Sequence, residues 1–343
     1  MSKKDLKKAI LWQAVGDKKV RCSLCSWQCL IDDGKTGRCS VRKNENGILY
    51  SLTYDKVCSA NPDPIEKKPL FHFQPGSRSF SIATAGCNFR CVFCQNWQIS
   101  QMALNNGQID GQAISPEQIV TAAVRYGCKS IAYTYTEPTI FMELCNDCGR
   151  LARQRGLTNV FVSNGYMTKE AIDFAAEWLN GINIDLKAFS EDYYRDLCKA
   201  RLQPVLDSIA YIAKNTEIWL EVTTLIVPEQ NDSEDELRKL ADFLVNSAGP
   251  DVPWHISRFY PSYQYKDSHP TPAATLERAC DIGAAAGLRY IYVGNLPGSK
   301  AESTYCYNCG RILIERLGYE ILANNITDSA CPDCGTKIAG FEL

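Results

Sequence analysis

The sequence predicts an α/β protein: a partial, parallel (β/α)6-type barrel with small cysteine-rich metal-binding modules at both ends. Three observations lead there. Strand-like and helix-like segments alternate from residue 79 to about 295, the rhythm of a parallel sheet covered by helices. Polar residues gather at the same end of successive strands, the edge where βα proteins bind ligands. The 17 cysteines are not spread evenly: 11 of them form three groups, two of which lie outside the alternating region, and the remaining six, among them Cys198, read mostly as small buried packing residues. A chain of 343 residues has room for one such barrel with small appendages. We divide it into an N-terminal cysteine-rich module (1–60), a connector (61–78), the barrel (79–300) and a C-terminal module (301–343).

Each element has a local reason. The N-terminal module is rich in turns, and Glu45-Asn46-Gly47 suits a hairpin turn. The segment 61–79 holds four prolines and reads as an extended connector. "SFSIATAG" (79–86) is the first barrel strand. "SPEQIVTAAVRYG" is a helix with Ser115 as N-cap, Pro116 in the first turn and Gly127 past its end. Strands follow at 130–138, 158–165, 181–189, 217–227, 254–261 and 288–295, separated by helical patterns whose expected caps include Thr168, Ser233 and Thr271. Six or seven such units fit an incomplete barrel better than a closed one of eight strands.

Composition excludes some functions. The formal net charge of −2 offers nothing for bulk neutralisation of phosphates, so nucleic acid is not an expected partner. No signal-peptide pattern opens the chain and no run of eighteen uncharged apolar residues occurs, so a cytoplasmic protein with no membrane partner is expected. In that setting clustered C-x-x-C units read as metal or iron–sulfur ligands rather than disulfides. The isolated pair Cys145 and Cys148 falls in a helical pattern without partners and reads as buried packing.

Cys87, Cys91 and Cys94, at spacings of four and three, lie directly after the first strand. Three soft ligands leave one coordination position for something other than protein. Neither His72, His255 nor His269 has zinc-finger spacing to this loop. Cys306, Cys309, Cys331 and Cys334 form two C-x-x-C-G knuckles, a four-thiolate site for zinc or, with the same ligands, iron. Cys22, Cys25, Cys29 and Cys39 also supply four thiolates, at unequal spacings that suit either zinc or an auxiliary cluster.

The C-x3-C-x2-C loop, with Phe93 just before its last cysteine, resembles the signature of the radical S-adenosylmethionine (radical SAM) superfamily. Together with "DPIEKKPLFHF", "YTYTEPT" and "YIYVGNLPG", the chain resembles the pyruvate formate-lyase activating enzyme-like subgroup, and within it the radical SAM protein of the AmmeMemoRadiSam system. The resemblance implies a [4Fe–4S] cluster held by Cys87, Cys91 and Cys94, with S-adenosylmethionine on its open iron. Reductive cleavage then yields a 5′-deoxyadenosyl radical that abstracts hydrogen from substrate. It further implies that Tyr135, Thr136 and Glu137, which stand where many relatives have GGEP, hold the methionyl amine. Ser163 and Asn164 would reach the ribose or carboxylate, and Gly294 and Asn295 would lie against the adenine. Phe93 would sit at the cofactor. Asp185 and Lys187, matching the DLK motif of glycyl-radical activases, would face the site together, to bind a carboxylate or to pair with each other, with Lys187 among the catalytic groups.

A flavodoxin- or ferredoxin-type reductant and a protein or peptide substrate are the partners the resemblance implies. Radical modification of a small molecule or an RNA base is the alternative. A non-enzymatic scaffold organised by zinc is a third reading.

Overall fold

The computed structural model describes residues 6–343. Its centre is an open nine-stranded sheet. The parallel strands Arg78–Thr84, Ser130–Tyr133, Thr158–Ser163, Gly181–Asp185, Trp219–Ile226, Trp254–Arg258 and Ile291–Gly294 (β1 to β7) are neighbours in chain order. Six principal helices join them: Pro116–Arg125, Met142–Gln154, Lys169–Ala176, Gln203–Asn215, Glu234–Ala248 and Ala273–Ala286 (α1 to α6). No pairing joins β7 to the far edge of the sheet among the described residues, so the barrel is partial.

Helix starts follow the side chains that satisfy their free N–H groups. Ser115 and Gln118 form a capping box at α1, Thr168 accepts from Ala171 N at α3, and Ser233 accepts from Glu236 N at α5. Thr271 does not cap α6. Its hydroxyl donates to Ile226 O at 2.6 Å and accepts from Phe259 N at 2.9 Å, which ties the ends of β5 and β6 together instead. Cys145 and Cys148 are fully buried in α2, as packing residues.

The segment read as a connector does more than connect. Lys56–Pro64 is a strand antiparallel to β1, so the chain crosses residue 60 within a continuous element. The proline-rich stretch that follows fills the barrel's lumen. Ile65, Leu70 and Phe73 pack with Ala132 of β2 and Val160 of β3. Asn183 of β4 donates to Pro69 O at 2.7 Å. The buried carboxylate of Glu221 in β5 accepts the N–H groups of Phe71 and His72, at 2.9 and 2.8 Å. Polar lumen residues thereby satisfy the backbone of this plug.

Both end modules are docked by a buried arginine. On the N-terminal side, small antiparallel sheets include the hairpin Arg42–Glu45 and Ile48–Ser51, turned by Asn46 and Gly47 at φ 55° and 81°. Arg42 pairs with Glu143 of α2 at 2.7 Å. On the C-terminal side, Thr304–Tyr305, Ile312–Leu317 and Glu320–Asn324 form a three-stranded sheet. Its Arg316 donates to Phe71 O of the plug at 2.8 Å and to Thr304 Oγ1 at 2.7 Å. Among the described residues no helix is long and apolar enough to cross a membrane.

Candidate cluster site

The three-cysteine loop leaves β1 through Gly86, at φ 104°. A side chain there would lie 2.8 Å from Val41 Cγ1, so only glycine allows the N-terminal module to pack so close. Backbone bonds hold the loop from outside: Arg90 N and Val92 N donate to Cys198 O and Leu197 O, at 3.0 and 2.9 Å, and Gln264 N to Val92 O at 2.9 Å. Phe89 is buried against Tyr166 and Tyr194. Phe93 is buried against Tyr193, where it anchors the loop from behind.

Donors converge on the sulfurs. Cys87 Sγ receives Phe89 N at 3.4 Å and Asn164 Nδ2 at 3.8 Å. Cys94 Sγ lies 3.3 Å from Ser100 Oγ. Burial, the Glu137 carboxylate and the neighbouring thiols push the Cys87 thiol well up. The Cys91 thiol is drawn down by a contact from the Cys198 thiol and by the Lys187 charge, against burial.

Asp185 and Lys187 share a face, as alternation requires, and pair with each other at 2.9 Å. Leu186 points the other way and is fully buried. Burial opposes the Lys187 charge, but Asp185 and the thiols of Cys91 and Cys198 outweigh it and hold its pKa well above the ordinary value. The lysine therefore belongs electrostatically to the cluster loop.

Glu137 and Ser163 are arranged differently from the expectation. Glu137 is fully buried, and four donors engage it: Thr139 N at 3.0 Å, Thr139 Oγ1 at 2.6 Å, Ser163 Oγ at 2.8 Å and Asn164 N at 2.8 Å. The carboxylate braces the ends of β2 and β3 against each other instead of facing a ligand amine. Ser163 is spent on that brace. Asn164 is what the brace positions: its side chain reaches Asn88 Oδ1 at 2.7 Å and, more loosely, Cys87 Sγ.

Tyr135 takes a glycine-like backbone, at φ 65°. That conformation costs a non-glycine residue roughly 1 kcal/mol. The ring secures it: its hydroxyl donates to Asp63 and accepts from Lys68 Nζ, which also lies 4.5 Å above the ring. Asn96 Nδ2 donates to Tyr135 O at 3.0 Å, and Thr136 Oγ1 to Thr84 O at 2.8 Å.

Gly294 and Asn295 line a separate cavity of about 410 Å³ at the ends of β5 to β7, together with His255, Ser257, Glu66 and Tyr319. Nothing but Ser257 lies within 4 Å of where a side chain on Gly294 would start. Asn295, at φ 61°, donates to Ser257 Oγ and Arg258 O. His255 is held by Glu221 at 2.6 Å. The predicted residues thus fall into two places: Cys87, Cys91, Cys94, Asn164, Asp185 and Lys187 around the loop, Gly294 and Asn295 in this cavity.

The C-terminal cysteines form a separate centre. Cys306 and Cys334 sulfurs are 3.6 Å apart, Cys309 and Cys331 sulfurs 3.7 Å. All four lie within 4.8 Å of one another. A tetrahedral ion with metal–sulfur bonds of about 2.3 Å spaces its sulfurs by about 3.8 Å. Gly310 and Gly335 turn the two knuckles at φ 74° and 71°.

Residues 81–244 match the family model described as the radical SAM superfamily. An uncharacterized protein of Methanocaldococcus jannaschii is 45% identical over 335 residues, which is 97% of this chain and 99% of that one. A second protein of that archaeon, described provisionally as a glycyl-radical enzyme activating enzyme, is 28% identical over 186 residues, covering 53% of this chain and 68% of its own. Among solved structures, Streptococcus suis SuiB bound to S-adenosylmethionine is 14% identical, covers 71% of this chain and 56% of that one, and has a TM-score of 0.49. The loop after β1, the partial barrel that carries it and the matched family model agree: the chain is an enzyme of the radical SAM superfamily.

Proposed function

We propose that this enzyme cleaves S-adenosylmethionine reductively at a [4Fe–4S] cluster held by Cys87, Cys91 and Cys94, and abstracts hydrogen from a protein or peptide. The observation that carries the reading is the donor set: three thiols on one loop, with amide donors aimed at Cys87. Among the described residues these sulfurs are not gathered within the 4.8 Å span of the C-terminal single-ion site. That fits a cluster, in which each thiolate sits on a different iron. When bound, the cluster and S-adenosylmethionine supply the electron transfer and the hydrogen-abstracting group.

The chain's own residues do the rest. Asn164 orients the Cys87 side of the loop, and Lys187 offsets thiolate charge near Cys91. Glu137 and Ser163 act as positioning residues through Asn164, and Phe93 through the loop. Tyr135 and Thr136 present backbone at the end of β2. Zinc is the ion we assign to the four C-terminal cysteines, on the sulfur spacing. The reductant is of flavodoxin or ferredoxin type and the setting cytoplasmic.

The likeness to a provisional glycyl-radical activating enzyme supports the peptide substrate. The 410 Å³ cavity supports a second reading, radical chemistry on a small molecule, because that size and its convergent polar groups suit one. Anaerobic incubation with deuterated peptides, partner proteins, RNA and metabolites decides between them. Deuterium carried into 5′-deoxyadenosine from a peptide is the expected result. Label arriving only from a metabolite ends the peptide reading while leaving the radical chemistry intact.

A further inference from the structure

The four N-terminal cysteines take no part in the chemistry above, yet they converge. Cys22, Cys25, Cys29 and Cys39 line one pocket with Leu24, Trp27, Ile31 and Ile140. Cys22, Cys25 and Cys39 are buried, and Cys29 is partly exposed at the rim. A backbone N–H is aimed at the rim sulfur: Arg38 N donates to Cys29 Sγ at 3.5 Å. Gln28 and Ser40, next to two of the four, hold left-handed backbone at φ 44° and 63°. Strain of that kind persists where the surroundings over-determine a site.

Two features separate this site from a zinc site. The same molecule contains an internal standard for a single ion, the C-terminal cysteines, whose sulfurs all lie within 4.8 Å. Among the described residues no three of the N-terminal sulfurs meet that spacing. The second feature is position. The Cys39 carbonyl oxygen lies 3.3 Å from where a Gly86 side chain would begin, one residue before Cys87. Trp27 Nε1 donates to Asn88 O at 3.0 Å, one residue after it. Ile140 lines the pocket and also bounds Gly86. A structural ion has no need to sit against the redox loop.

We propose that Cys22, Cys25, Cys29 and Cys39 hold an iron–sulfur cluster that relays single electrons to the three-cysteine loop. The relay rests on the reading of that loop given above; the site itself does not. A reduced flavodoxin- or ferredoxin-type donor gives one electron to the N-terminal cluster. That cluster passes the electron to the cluster on Cys87, Cys91 and Cys94 and returns to its oxidised form, and no group is transferred.

The test uses the full chain purified without air, as wild type and as the Cys87→Ala/Cys91→Ala/Cys94→Ala variant. The variant is expected to keep about two or four irons, matching sulfide and about one zinc, with an electron paramagnetic resonance signal after dithionite. A folded variant with about two zincs and no iron overturns the site. Should the variant fail to fold, the wild type decides: two reduced signals are expected, of which S-adenosylmethionine alters one. A single signal, wholly altered by S-adenosylmethionine, beside two zincs overturns the site. If the donor reduces the loop cluster while the N-terminal signal stays oxidised throughout, the relay is overturned and the site stands. Failure of S-adenosylmethionine cleavage changes none of the metal counts, so it bears on the proposed function alone.

Discussion

The two end modules invite comparison, because each brings four cysteines and each is fastened by one buried arginine. In the C-terminal module the metal set is half exposed, with Cys309 and Cys334 at the surface, and its arginine reaches backbone and hydroxyl oxygens. In the N-terminal module the cysteines are turned inward against the redox loop, and Arg42 meets a fully buried carboxylate. Burial works against both guanidinium charges. For Arg42, Glu143 and the Cys22 and Cys39 thiols outweigh it; for Arg316 burial wins and lowers the pKa. One residue type thus serves as a close charge partner at one end, 2.7 Å from Glu143, and mainly as a hydrogen-bond clasp at the other, where Glu66 lies 3.9 Å away, and its worth depends on what it leaves behind when removed.

The largest effect concerns the loop between the modules. Replacing Cys87, Cys91 or Cys94 singly by alanine is expected to reduce 5′-deoxyadenosine formation to background in an anaerobic dithionite assay, whereas Cys309→Ala retains cleavage. A loop variant with full cleavage would remove that cysteine from the ligand set. Next is Arg42→Met, which strands Glu143 in the interior and is expected to cost about 3–5 kcal/mol of stability in denaturant unfolding. A loss under 1 kcal/mol would erase the contrast between the modules.

Acid should act on the C-terminal side. His72 is buried, with Nδ1 2.6 Å from Ala339 O and Nε2 2.5 Å from Tyr292 OH. A carbonyl only accepts, so Nδ1 carries the proton and Nε2 accepts from the tyrosine. Burial lowers the pKa to about 4 from 6.5. The folded state therefore resists a proton that the unfolded chain takes up. The contribution is full above pH 6.5 and is lost as pH falls toward 4, about 3 kcal/mol in all. Unfolding measured across that window should show the decline, and His72→Gln should flatten it. The smallest expected change is Arg316→Met, about 2 kcal/mol, because it leaves Phe71 O and the Thr304 hydroxyl short of a donor, while its carboxylate partner Glu66 is more distant, at 3.9 Å, and keeps the Gly76 N–H. Equal losses for Arg316→Met and Arg42→Met would show that charge pairing is not what distinguishes the two clasps.

Much of this was legible in the chain. Alternating strands and helices carry their own periodicity, and Ser115, Thr168 and Ser233 cap where a free N–H demands it. The clustered cysteines announce soft ligands by spacing alone. What could not be read is direction. The spacing around Glu137 cannot tell whether its carboxylate turns toward a ligand or toward Ser163 and Asn164. Thr271 has the residue type of a cap, but a tertiary partner, Ile226 O, claims its hydroxyl. The segment 65–77 has prolines and no period, so nothing local marks it as the filling of a barrel whose walls lie far along the chain. Pro62 and Pro64 likewise hide a strand, since proline removes a ladder donor.

The plug also sets a timetable. Glu221 accepts the N–H groups of Phe71 and His72 across 150 and 149 positions of sequence. At a synthesis rate of about 5–20 residues per second, the plug leaves the ribosome roughly 10–30 s before its carboxylate partner exists. Through that interval the N–H groups of Phe71 and His72 await their acceptor, although Leu70 and Phe73 find Ala132 and Val160 sooner. Contacts of such range also slow folding, because the intervening loop must be ordered before they form. For a newborn chain of this enzyme, the plug's backbone is completed only when β5 arrives.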